Sequence, residues 1–169
     1  MSGALTAQLL LKLSATGSKA LDLDTATDPL AVDYSQLFSS GTGANQASNL
    51  FHDSRTLAAS ASETLDLAGV LANAFGVTLT FTKIKALIVH AASGNTNDVV
   101  VGGAATNAWV GMFSDATDKV TVKPGGTLVW IAPDANGGAV VASTGDSLQV
   151  ANGGAGTGVT YDIIVIGVD

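Results

Sequence analysis

The chain has 169 residues, a length suited to one domain, with 47% hydrophobic residues, 12% charged residues and a formal net charge of −7. A charged fraction at about half the usual ~25% leaves a neutral Ala/Gly/Ser/Thr surface, of the kind that packs against other protein. Seven scattered basic residues form no stripe that could displace counterions from phosphates, which excludes nucleic-acid binding, and the absence of cysteine excludes disulfides, thiolate metal sites and a cysteine nucleophile.

The first element lies in "MSGALTAQLLLKL". It lacks a basic n-region and Lys12 interrupts its apolar run, so it is not a signal peptide. No stretch reaches the ~18 apolar residues of a membrane helix, so a soluble chain made in the cytoplasm is expected. Leu5, Ala7, Leu9, Leu11 and Leu13 alternate with Thr6, Gln8, Leu10 and Lys12, which predicts a strand with one buried side. "LAVDYSQLF" (30–38) predicts a second strand, and Gly41–Asn45 is the candidate hinge after it. "NLFHDSRTLA" (49–58) and "SETLDLAG" (62–69) follow, then "GVLANAF" (69–75), expected to form one helical turn or a 3₁₀ loop. "VTLTFTKIKALIVHA" (77–91) sets Ile84, Ala86, Ile88 and His90 against Lys85, Leu87 and Val89. The series closes with "DVVVGG", "AWVGMF", "KVTV", "TLVWIA", "AVVAS", "SLQVAN" and "VTYDIIVIGV", separated by turns such as Pro124-Gly125-Gly126 and Asn136-Gly137-Gly138.

Short strands every ~8–12 residues with glycine turns predict an all-β fold. We expect a jelly-roll-like β-sandwich over residues 46–169. Residues 1–45 are expected to add edge strands or to form an arm that docks or makes a trimer. The predicted core includes Leu87, Leu128, Trp130, Leu148, Ile163 and Val165.

The sequence offers no catalytic constellation. Val99–Phe113, "VVVGGAATNAWVGMF", runs a strand into Gly102-Gly103, but no third glycine follows at dinucleotide-binding spacing and no lysine follows a glycine, so the pair reads as a turn. No serine occupies a G-x-S-x-G elbow. His52 and Asp53 alternate to opposite faces of a strand and do not pair, and His90 reads as a core or interface histidine. Glu63 is the only glutamate, and the aspartates gather in turns. "DLDTATD" (22–28) lacks the glycine and closing glutamate of a calcium loop, and "SDATD" (114–118) reads as an Asx turn. No catalytic, cofactor-binding or metal site, and no cofactor, is therefore expected. Trp130, apolar on both sides, reads as core, whereas Trp109 is open to a sugar-stacking role.

"VGGAATNAW", "DATDKVTVKPGG" and "TGDSLQVAN…VTYDIIVIG" carry a resemblance, spanning residues 40–169, to small virion proteins of tailed bacteriophages of the head decoration (cement) or minor capsid type. The resemblance implies a non-enzymatic β-sandwich, assembled as a homotrimer on the virion surface, that stabilises the capsid exterior by binding the major capsid protein. The alternatives are a tail or head fibre subunit that contacts the host surface, and a lectin-like carbohydrate-binding module using Trp109.

Overall fold

The computed structural model describes residues 4–169, and no helix forms among them. The chain is all-β, with twelve strands in three sheets among the described residues. β1 (Ala7–Ala20) and β2 (Thr25–Ser40) make a long antiparallel hairpin, and β3 (Gln46–Ala47) pairs in parallel with the end of β2. β4 (Asn49–Leu57), β6 (Lys83–Ala91), β9 (Thr127–Ile131), β10 (Gly138–Ala139) and β12 (Val159–Val168) form a five-stranded sheet. In it β6 and β12 are central, β4 is one edge, and β9 and β10 share the other. β5 (Ser62–Asp66), β11 (Ser147–Asn152), β7 (Val99–Gly102) and β8 (Lys119–Val122) form the second, four-stranded sheet in that order.

These two sheets face one another as a β-sandwich. Alternation along β12 shows why: Val159, Tyr161, Ile163 and Val165 are buried against the opposing sheet, while Thr160, Asp162 and Ile164 face outward. Leu87 and Val89 on β6, and Leu148, Val150, Val99 and Val101 from the second sheet, complete this core. Near its end β12 carries a bulge between Ile166 and Gly167. Only glycine fits there, because a Cβ at 167 would lie 2.7 Å from the Phe81 ring and closer still to the Lys83 carbonyl oxygen.

Four sequence expectations change. Trp130 and Leu128 are half-buried, not buried, because β9 is an edge strand that pairs only with β6. Trp109 instead is enclosed, edge-on to Trp130 (centroids 5.7 Å apart) and Phe113 (6.3 Å), with its indole N–H unpartnered. Residues 69–75 form neither a helical turn nor a 3₁₀ loop. Leu79 donates its N–H to the Leu71 carbonyl, and Asn73 Oδ1 accepts from the N–H groups of Phe75 and Val77, making a small hairpin with Phe75 exposed at its tip. The Gly41–Asn45 stretch is a closed turn. Ser39 N–H bonds to the Asn45 carbonyl, Gly43 N–H to Gln46 Oε1 at 2.8 Å, and Asn45 N–H to the Pro133 carbonyl at 2.7 Å. That last bond fastens the turn to the sandwich.

Candidate docking surface

The β1–β2 hairpin keeps fourteen residue pairs in register from Ala7↔Phe38 to Ala20↔Thr25. At the rise of an extended strand this ribbon is about 45 Å long. A tight turn closes its tip, where the Leu21 N–H reaches the Asp24 carbonyl and Asp24 Oδ1 accepts from the Thr25 N–H. Residues directly opposite in an antiparallel pair share a face, so the register sorts the side chains into two sets. One face carries Leu9, Leu11, Leu13, Leu30, Val32 and Tyr34 in an apolar stripe. The other is mainly polar, with Gln8 bonded to Ser35 (3.0 Å) and Lys12 paired with Asp33 (3.1 Å), although Leu10 and Leu37 interrupt it.

Only the base of the apolar stripe is covered. Phe38 is fully buried, with Ala47, Ala86 and Ile166, and Leu5, Ala7, Leu9, Leu50 and Ile164 pack around them. Ala86 and Ile166 stand on the outer face of the five-stranded sheet, away from the main core. The stripe thus starts as a second, small core and continues outward with nothing behind it among the described residues: Leu13 is 54% exposed, Leu11 61% and Tyr34 67%. An isolated two-stranded hairpin is at best marginally stable in water, and this one is held by its anchored base. The outer edge of β1 has no partner strand among the described residues. Lys12 and Lys19 lie on that strand, as charges that discourage edge-to-edge pairing.

The outer face of the five-stranded sheet is apolar beyond the ribbon's base. The register aligns His52, Ile164, Ile88 and Val129 in one row across β4, β12, β6 and β9. The next row inward, Leu50, Ile166, Ala86 and Ile131, is the one the ribbon's base touches. Val129 and Ile131 remain 46% and 37% exposed. Beyond these rows the face turns polar with Ser54, Asp162, His90 and Thr127.

The residues singled out in the sequence fall away from any common site. His90 is half-buried on the outer face, its Nδ1 2.8 Å from Thr127 Oγ1. His52 is exposed, and Asp53 turns to Arg55 Nε at 3.1 Å. Gly102 and Gly103 both take positive φ at the end of β7 and lead into a loop, not a helix. In the 114–118 turn Asp118 accepts from the N–H groups of Ser114 and Asp115, and Asp115 accepts from Thr117. Trp109, enclosed as it is, offers no indole face to a sugar.

Two polar arrangements were not foreseen. Glu63, solitary in the sequence, accepts from the Tyr161 hydroxyl at 2.7 Å and from Arg55 Nη1, and Arg55 lies 5.7 Å above the Phe51 ring. This cluster ties β4 and β12 of one sheet to β5 of the other. Burial, reinforced by the hydrogen bond to Glu63, pushes the Tyr161 phenol well above its usual range. Lys85 is fully buried and donates to the Asp134 carbonyl, and burial, with Lys83 nearby, lowers its pKa. Nothing marks either residue locally in the sequence, since their partners lie 98 and 49 positions away.

No family model, curated protein or solved structure matches the chain.

Proposed function

We propose that this protein is a structural component of a tailed-bacteriophage virion, a non-enzymatic sandwich that decorates the capsid exterior by binding the major capsid protein. The observation that carries the reading is the ribbon, a long amphipathic hairpin whose apolar stripe is anchored at one end and exposed along the rest. An exposed apolar stripe of this kind marks a subunit of a larger protein assembly, and the resemblance of residues 40–169 to phage virion proteins names the kind of assembly. The low charge and the neutral small-residue surface fit close packing against protein. We further read the sandwich as a jelly roll. The sheet orders β4-β12-β6-β9 and β5-β11-β7-β8 support this, because they pair strands first with last and inward, as a long hairpin wrapped around a core does.

Attachment through apolar area is insensitive to charge screening. Purified protein added to capsids that lack it should co-sediment at a fixed, saturable ratio and stay bound in about 1 M salt, where exposed charge pairs are screened. Absence of saturable binding overturns the decoration role. Cryo-electron microscopy that finds a few copies at the tail, instead of many on the head, gives the fibre reading in its place.

A further inference from the structure

We propose that the exposed apolar stripe of the β1–β2 ribbon is covered by a second copy of this chain, lying on the outer face of that copy's five-stranded sheet beside Ile88, Val129 and Ile131. The chain already contains a sample of this contact. At the base of the ribbon, Phe38, Ala7 and Leu9 pack on Ala86 and Ile166 of that same outer face. Complementarity between the two surfaces is therefore a property of the fold. Within one chain, however, each surface is used only in part: the ribbon runs on past the sheet with Leu11, Leu13, Leu30 and Tyr34 uncovered, and the sheet keeps Val129 and Ile131 exposed. A neighbour supplies to each what the chain itself does not.

The free apolar part of the ribbon, from the Leu11–Tyr34 pair to the Ala15–Leu30 pair, is about 15 Å long and roughly 10 Å wide, so it covers about 150 Å² in projection, and beyond it Lys19 and Asp28 share the face. One such contact is small for a specific interface. A copy that gives its ribbon to one neighbour and receives one from another makes two such contacts, each well below the ~800 Å² per partner of standard interfaces, so the assembly depends on a closed ring that adds them together. Giving and receiving through different surfaces is a heterologous contact, which closes into a ring when the rotation allows. Docking by the free β1 edge is a poorer use of the ribbon, because Lys12 and Lys19 guard that strand.

The experiment uses the full chain in solution, without capsids, so its outcome is separate from that of the decoration reading. One double variant, Leu13→Glu/Leu30→Glu, spoils the ribbon, and another, Val129→Glu/Ile131→Glu, spoils the receiving sheet. All four positions are surface-exposed, and circular dichroism checks that both variants fold. Sedimentation velocity should give an oligomer for the parent and monomers for each variant, with self-association weakened at least 100-fold. Mixing the two variants should restore a one-to-one complex, because one retains an intact sheet and the other an intact ribbon. A monomeric parent, or a variant with the parent's mass, overturns the proposal. So does a mixture that stays monomeric; if ribbons pack only on ribbons, the Val129→Glu/Ile131→Glu variant keeps the parent's mass. Loss of capsid binding by a parent that still shows this pattern would count against the decoration role alone.

Discussion

Phe38→Ala tests whether the ribbon is held by its base. Phe38 has no exposed surface and sits at the centre of the second cluster, with Ala47, Ala86 and Ile166 in contact and Leu9 and Leu50 at the rim. Removing the phenyl ring withdraws roughly 120 Å² of apolar area, about 3 kcal/mol at ~25 cal/mol per Å². Buried aromatic truncations cost about 3–5 kcal/mol, and the lower end applies here because several neighbours are only partly buried and can relax into the gap. The main core lies on the other side of the sheet, so the loss should fall on docking of the ribbon more than on the sandwich. A loss of about 3 kcal/mol raises the population of the detached arm roughly 150-fold. Hydrogen exchange read by mass spectrometry should show faster exchange at Ser39, Gly41 and Asn45, whose N–H groups close the turn. Exchange in β12 and β11 should change far less. Unchanged exchange at 38–47, with a denaturation midpoint shifted by less than about 1 kcal/mol, would refute the reasoning and mean that the turn and its bond to Pro133 hold the arm without the phenyl ring.

Two further outcomes follow from the interior. The Tyr161 phenol holds its proton more tightly in the fold than a free tyrosine near 10.0, so stability is full below about pH 10 and falls as pH rises above it, when the unfolded chain alone ionises. Denaturant melts from neutral to alkaline pH should show this slope in the parent and its reduction in Tyr161→Phe, and an equal slope in both would assign it to other groups. Gly167→Ala should be destabilising by about 1–3 kcal/mol or more, because a methyl group meets Phe81 and the Lys83 carbonyl where the strand backbone cannot retreat. A thermal melt within about a degree of the parent would show that the bulge relaxes.

Much of the strand content was legible because local alternation and glycine turns are written residue by residue. In "VTYDIIVIGV" and "SLQVAN" period 2 names the inward side chains correctly, and Ile163, Val165, Leu148 and Leu87 are buried as expected. The same signal in "LTAQLLLKL" predicts one buried side, and there it misleads in an instructive way. Alternation reports that a strand is amphipathic, but not whether a second layer stands behind it. For Leu9 there is a sheet, and for Leu11 and Leu13 there is solvent. Trp109 and Trp130 show the same limit, since flanking apolar residues suit both a central and an edge strand, and only the pairing of β9 with β6 alone leaves Trp130 half-covered. The clasp of Glu63, Arg55 and Tyr161 was decided wholly by topology, which brings the first and last strands of the sandwich together at one edge. Burial pattern along a strand is local and belongs to the sequence. What covers each face depends on chain segments far away, and that was fixed only when the sheets came together.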